Sequence, residues 1–368
     1  MPPTHDASEI QPQALTLHFD DGAIWSPGQT LHGHVSIFPA LAKKQGIAQV
    51  RVDVRGRVET ELMEYAGNVA AYRQRADGLF HSSQTIWPLG SDSEASEVVE
   101  RRFEFALPES LPPSFFFAGS EVQARVLYTI QVVGKQAGLG KDLHIVKNFT
   151  VFPAPSPAQL AVRRKLQSGW DGSWRTISQG KEVQSWIFGG HAHIHAELKL
   201  PDLPSFSRAT AVPVILTVET RSKRMDRGEP PEDGSMSPAP PTHAADVALT
   251  LERTVRMNTE YALRMSSNTS RVRGGLGDPE HTRAVKCTVT PPEWISDARP
   301  GGKDNKGVWK RVVRFEGTIT IAETPTFTSE AEGVGFELLY SLQFVVNFSG
   351  VGNNLELEFP IAIHSAHE

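Results

Sequence analysis

Large apolar and polar residues alternate along most of this chain with the two-residue period of a β-strand, and no long stretch keeps a helical period. The clearest run spans residues 103–135, FEFALPESLPPSFFFAGSEVQARVLYTIQVVGK. Phe103, Phe105 and Leu107 alternate with Glu104 and Ala106. Pro108, Pro112 and Pro113 then remove three backbone donors, so a central strand cannot continue through them. After Gly119 the alternation returns. Val122, Ala124, Val126, Tyr128, Ile130 and Val132 share one face, and Gln123, Arg125, Thr129 and Gln131 share the other. Strand, proline-rich crossing and strand, in that order, are what an antiparallel sandwich makes where the chain passes between sheets.

The same pattern predicts strands over 15–19, 31–38, 47–59, 79–87 and 143–152. Within 47–59, Val50, Val52, Val54 and Val58 give a buried face, and Arg51, Asp53, Arg55 and Arg57 a wet one. Asp20-Asp21-Gly22 and Ser26-Pro27-Gly28 are turn chemistry, and 92–100 is an acidic connector. Pro153-Ala-Pro-Ser-Pro157 is a short stiff linker. Residues 159–167 follow as the best helical candidate, and strands resume over 174–188, 191–200, 211–221, 247–255, 284–290, 308–321, 336–348 and 355–363. The string 200–206 (LPDLPSF) echoes 107–115, but it sits early in its half where the other sits late, and it does not count as a repeat. The expected layout is a disordered N-terminus over 1–13, a β-sandwich over 14–152, a linker over 153–168 and a second β-sandwich over 169–364. Residues 222–245 carry five prolines and little apolar content, so a mobile loop is expected there. The segment 296–307 has a similar character and is more basic.

At 368 residues the chain is long enough for two domains. A hydrophobic content of 39% with 21% charged residues is that of a soluble globular protein. A net charge of −5 gives no overall pull toward nucleic acid, and none is expected as a partner. Cys287 is the only cysteine, which excludes an intramolecular disulfide and fits a reducing compartment. Residues 1–13 lack the apolar core of a signal peptide, and no run of about 18 apolar residues occurs. A cytoplasmic protein, at most peripheral at membranes, is the expectation. Asn148-Phe-Thr, Asn268-Thr-Ser and Asn347-Phe-Ser match the glycosylation pattern but stay unmodified without secretion.

Candidate chemistry changes this picture little. His191, His193 and His195 share one strand face, but neighbours there recur every ~6.8 Å, too far apart for one ion at about 2.0–2.1 Å without a bend. His32 and His34 form a second such pair, and neither group has a Cys or carboxylate set beside it. The string 134–141 (GKQAGLGK) invites a phosphate-loop reading, yet Lys135 stands where the first glycine belongs and Asp142 where Ser or Thr would bind magnesium. It reads as a hairpin loop. Cys287 lies in an alternating stretch, and no G-x-S-x-G occurs. No catalytic, cofactor or metal site is expected, and the protein reads as a non-enzyme. One stretch stands out by charge: Arg299, Lys303, Lys306, Lys310, Arg311 and Arg314 face only Asp304, a candidate contact for an anionic surface.

The 103–135 segment resembles the F-x-F-x-LP…LPPSF…G…Y-x-I-x-V stretch of arrestin-like N-terminal domains, in the broad α-arrestin sense. Upstream, residues 26–35 (SPGQTLHGHV) look like that family's PGE-x-V-x-G-x-V turn and strand. The resemblance implies an all-β fold of two tandem immunoglobulin-like antiparallel sandwiches, without catalysis. It further implies an adaptor that binds membrane-protein cargo and links it to endocytic or ubiquitin-ligase machinery. Two features depart from the family. The ligase-recruiting PPxY is absent, because Pro112-Pro113-Ser-Phe115, Pro240-Pro241-Thr-His243 and Pro291-Pro292-Glu-Trp294 all lack the tyrosine. A ligase would then be reached through another adaptor. The first strand ends Leu17-His-Phe-Asp-Asp21, where phosphate-reading arrestins carry paired lysines. Two alternatives stand beside the adaptor: a scaffold subunit of a sorting coat, retromer-like, and a carbohydrate-binding β-sandwich protein.

Overall fold

The computed structural model describes residues 13–364 apart from 21, 23, 67–68, 89–96, 139, 185–190, 229, 231–237, 259–262, 279, 298–304, 330–334 and 349–352. Of these, 63% are strand and 8% helix, in several antiparallel sheets with no barrel. The alternation is thus expressed as an all-β fold of sandwich character. No helix of the described residues is long and apolar enough to cross a membrane. The chain divides into two units, Met1–Ala154 with Ser329–Gly335, and Pro155–Thr328 with Phe336–Glu368.

The first unit runs β1 (Leu15–Phe19), β2 (Ile24–Trp25), β3 (Thr30–Ile37), α1 (Pro39–Lys44), β4 (Ile47–Ala66), β5 (Val69–Pro88), β6 (Val99–Ala106), β7 (Phe115–Ala118), β8 (Val122–Gln136) and β9 (Leu143–Val151). One sheet has the order β1-β3-β6; the other has β2-β9-β8-β4-β5, with β7 also paired to β8. Among the described residues of this unit, β2 and β9 are the one pair that runs parallel. Val122, Ala124, Val126, Tyr128, Ile130 and Val132 are all buried, as their shared parity predicts. The opposing layer supplies Leu15, Leu31, Val35, Phe103 and Phe105. Within the proline-rich crossing, β7 adds a short strand that the sequence reading lacked, and the Pro112 carbonyl accepts a hydrogen bond from Tyr128 Oη at 2.6 Å.

The second unit opens on α2 (Pro157–Ser168), where the helical candidate was expected. Ser156 caps it: its hydroxyl accepts from the Gln159 N–H while the Gln159 side chain accepts from the Ser156 N–H. Then follow β10 (Trp174–Gln184), β11 (His191–Pro201), β12 (Phe206–Ser207), β13 (Ala211–Arg221), β14 (Met225–Asp226), β15 (Val247–Asn258) and β16 (Leu263–Arg271). The rest are β17 (Arg273–Gly274), β18 (Lys286–Val289), β19 (Glu293–Ser296), β20 (Lys306–Thr320), β21 (Thr328–Ser329), β22 (Phe336–Val346), β23 (Leu355–Ile361) and β24 (Ile363–His364). One sheet has the order β10-β11-β13-β20-β14, with β17, β18 and β19 also on β20. Another has β16-β15-β22-β21 with β23 on β22, and β12 pairs β24 in parallel.

The two units share one connectivity. In the first, β3 joins β1 to β6, β4 joins β5 to β8, and β8 also takes β7 and β9. In the second, β13 joins β11 to β20, β15 joins β16 to β22, and β22 also takes β21 and β23. The short parallel pair recurs too, as β2 with β9 and β12 with β24 just beyond β23. Even a buried tyrosine recurs: Tyr340 on β22 donates to the Thr324 carbonyl at 2.9 Å, also sixteen residues upstream. The echoing string at 200–206 is not part of this correspondence, since Phe206 lies on β12, the counterpart of β2.

Three expectations change. The segment 222–245 is not loop throughout: β14 pairs β20, the Ser222 N–H donates to the Trp309 carbonyl, and Pro238, Pro240 and Pro241 are buried. Proline-rich composition hid this, because backbone pairing and ring burial need no alternating pattern. Residues 231–237 lie outside the described ones, as do 1–12 at the expected disordered terminus. The hairpin strand β16 and the first half of β5 were not expected. Both are edge strands of polar sequence, and with so little of either face buried they carry little periodic signal. Finally, Arg55 and Arg57 are exposed on the outward face of β4 as expected, but Asp53 on that face is covered by its neighbours and is 1% exposed.

Candidate functional site

Four neighbouring strands, β5, β4, β8 and β7, shape a cleft of about 400 Å³ in the first unit. Register sets its cross-section: Phe116 stands opposite Arg125, Arg125 opposite Glu59, and Glu59 opposite Ala76. One row further along, Gln123 faces Glu61 and Glu61 faces Gln74. Phe116 is 59% exposed, because β7 turns the intervening phenylalanine of a three-residue aromatic run outward while Phe115 and Phe117 enter the core. Glu59 is held by Arg125 and by Arg57 at 2.6 Å, and Gln74 Nε2 donates to Glu61 at 2.8 Å. The cleft therefore offers one aromatic wall, amides and balanced charges, groups that recognise a partner by stacking, hydrogen bonding and ion pairing.

On the same face of β4, Asp53 is sealed by its neighbours. Arg51 reaches both carboxylate oxygens at 2.9 Å, Ser83 Oγ donates at 2.7 Å, and Arg55 stands at 3.6 Å. Burial pulls this carboxyl upward. The hydrogen bonds from Ser83 and Arg51, with the charges of Arg51 and Arg55, outweigh it and hold the group below the ordinary carboxylate range. Neither the cleft nor this cluster was singled out from the sequence. Both depend on cross-strand neighbours, Ser83 thirty residues from Asp53 and Arg125 sixty-six from Glu59 among them, and only alternating charges on one strand hinted at them.

The basic stretch is dispersed by the structure. Arg299 and Lys303 lie outside the described residues. Lys306 is exposed at the start of β20. Lys310 pairs with Glu219 at 3.2 Å, and Arg314 with Glu316 at 2.6 Å. Glu219 also binds Arg221 at 2.7 Å; burial raises its pKa, and these two cations outweigh that and lower it. Arg311 is only 7% exposed, on the same face of β20 as the buried Trp309 and Val313. It cannot belong to a surface contact, because neighbours in sequence on a strand face opposite ways.

The other candidates resolve as follows. His193 and His195 stack at 6.5 Å between ring centroids and lean over Gly180, and His191 stands 4.0 Å from Glu182. His34 pairs with Asp20 at 2.9 Å and His32 with Glu104 at 3.7 Å. Residues 137–142 join β8 to β9, as a hairpin loop does. Cys287 is exposed on β18, with partial burial pushing its thiol pKa up, and it donates to the Thr242 carbonyl at 3.2 Å. Asp278, Glu280 and His281 bring ligand-type atoms within 4.8 Å of one another. The Asp278 carboxylate, however, already accepts from Gly274 N, Glu280 N and His281 Nδ1, closing its own loop. Ser205 Oγ lies 3.0 Å from Nδ1 of the buried His364, which burial keeps neutral by lowering its pKa. No protein-family model matches this chain, and no curated protein matches it.

Proposed function

We propose that this protein is a non-catalytic adaptor of arrestin-like type, built as two tandem immunoglobulin-like sandwiches. It holds membrane-protein cargo at the cytoplasmic face and links that cargo to endocytic or ubiquitin-ligase machinery. The observation that carries this reading is the repeated connectivity, eight strands with corresponding partners in each of two units and a short parallel pair beside them. That duplication is what the resemblance in residues 26–35 and 103–135 implies for the whole chain. The cleft bounded by Phe116, Arg125, Glu59 and Gln74 is the cargo contact in this reading.

Lacking PPxY, the chain has no direct affinity for WW domains, whose aromatic groove needs the tyrosine as well as the prolines. A ubiquitin ligase is then recruited by a partner adaptor. Membrane approach rests on Arg299, Lys303 and Lys306, each contributing about 1 kcal/mol near an anionic surface. Exchanging Lys303 and Lys306 for Glu is expected to weaken binding to anionic liposomes at low salt; unaltered binding ends that part of the reading.

Proximity labelling in the native cell tests the adaptor itself. The wild-type chain is expected to mark membrane proteins and trafficking components, and Phe116→Ala with Arg125→Glu to lose the membrane proteins. A labelling profile without membrane proteins, or one the double substitution leaves intact, overturns it.

A further inference from the structure

The two units differ in how they treat the outer edges of equivalent sheets. In the second unit β11 is covered by β10, and the outer edge of β20 by β17, β18 and β19. In the first unit, among the described residues, β1 and β6 pair only with β3 and leave their outer edges open. The β1 edge is partly guarded, because Lys147 Nζ donates to the Leu17 carbonyl at 2.6 Å. The β6 edge has no such guard among the described residues.

The correspondence can be taken residue by residue. Thr30 stands opposite Ala106 at the start of one ladder, and Ala211 opposite Thr320 at the start of the other. Counting back along each strand, Val99–Arg102 of β6 matches 313–316 of β20. Those β20 residues are paired antiparallel with β18, and Lys286 there meets Glu316 at 3.7 Å. The chain's own strands thus fill in one unit an edge that, among the described residues, stands free in the other.

We infer that the open edge of β6 receives an extended segment of a partner protein as an added strand, one carrying basic, acidic and basic residues at alternate positions. Backbone pairing supplies the attachment, as β18 does on β20. Charge supplies the selection. Glu100, Arg102 and Glu104 lie on one exposed face of β6 in the order minus, plus, minus. Arg102 has no ion-pair partner among the described residues, while Glu104 is 72% exposed beside His32. Residues directly opposite on an added strand share that face, so a plus, minus, plus pattern complements it. The pattern is symmetric and fits either strand direction. This inference does not depend on the adaptor reading, which places cargo on the cleft instead.

The test uses the full chain and a seven-residue peptide alternating Val with Lys, Glu and Lys, beside its charge-inverted form with Glu, Lys and Glu. Amide hydrogen exchange of 99–106 is expected to slow when the first peptide binds, and methylating its edge-facing backbone nitrogens is expected to abolish binding. Replacing Glu100→Lys, Arg102→Glu and Glu104→Lys together is expected to reverse the preference between the peptides, by roughly tenfold across three cross-strand pairs. These side chains are exposed, and an unchanged thermal midpoint certifies the variant's fold. Binding of neither peptide, binding without slowed exchange in β6, or a preference untouched by the charge reversal overturns the inference. So does a β6 edge already as protected as β3 in the free chain.

Discussion

In the first unit Gly33 stands opposite Phe103; at the matching point of the second, Val214 stands opposite Gly317. The large partner has changed strands. A Cβ on Gly33 would lie 2.4 Å from both the Phe103 ring and the His18 carbonyl, so the phenylalanine occupies the room that glycine leaves. At Gly317 a Cβ would meet Val285 Cγ2 at 3.2 Å, so there a residue of the segment between β16 and β20 fills the space. What the two units conserve is the volume between paired strands, whichever strand or insertion provides it. The tyrosine anchor behaves differently. Tyr128 and Tyr340 keep the same bond to a crossing segment, and burial raises both phenols far above their ordinary pKa, so each stays a donor.

The sharpest break in this comparison is at the swapped pair. Phe103→Ala is expected to cost about 3–5 kcal/mol in urea denaturation, since Gly33 cannot fill the cavity. Gly317→Ala is expected to cost under about 1 kcal/mol, because only one valine methyl has to yield. Equal costs would mean that the two pairs are not counterparts. Next comes the shared anchor. Tyr128→Phe and Tyr340→Phe should each lose about 1–3 kcal/mol by leaving a carbonyl without its donor, and the two losses should add within about 0.5 kcal/mol. A neutral result at either site would remove that tyrosine from the correspondence.

Acid should separate the units. His364 has a folded pKa below its ordinary 6.5, so its contribution is full above that value and is lost as pH falls through the window beneath it. Asp53 is depressed below its ordinary 3.8, so its contribution is full above that value and is lost only as pH falls further, through its lower folded pKa. Amide protection around β12 and β24, corrected for the intrinsic exchange rate, is therefore expected to fall as pH drops below 6.5, while β4 and β5 hold until carboxylates protonate. His364→Gln should flatten the first effect; an unchanged pH response after that substitution would show that other histidines carry it. The smallest expected effect concerns the proline-rich segment between β13 and β15. Deleting 231–237 should change stability by less than about 0.5 kcal/mol. Extending the deletion to 226–241 should cost measurably more, because Asp226 pairs with Lys306 and Pro238, Pro240 and Pro241 are buried.

The sequence by itself determined the class of the fold and most of its strands, because inward and outward residues must alternate wherever one face of a strand is dry. The run 122–132 shows this, with every predicted inward residue buried. The helical candidate at 159–167 was likewise legible, though the Ser156 cap that starts the helix at Pro157 was recognised only in the structure. Partnership was not legible. Nothing local to Asp53 says that Ser83, thirty residues on, will seal it, and nothing local to Phe116 says that Arg125 and Glu59 will stand in one row with it. The basic stretch failed for a related reason: charge counted along a chain ignores strand parity, which sends Lys310 and Arg311 to opposite faces. Tertiary structure alone decided which strands pair, and so revealed the repeated connectivity and the edges one unit covers and the other leaves open. Alternation fixes the face of each side chain, but register and neighbour choice are set by contacts between segments far apart in sequence.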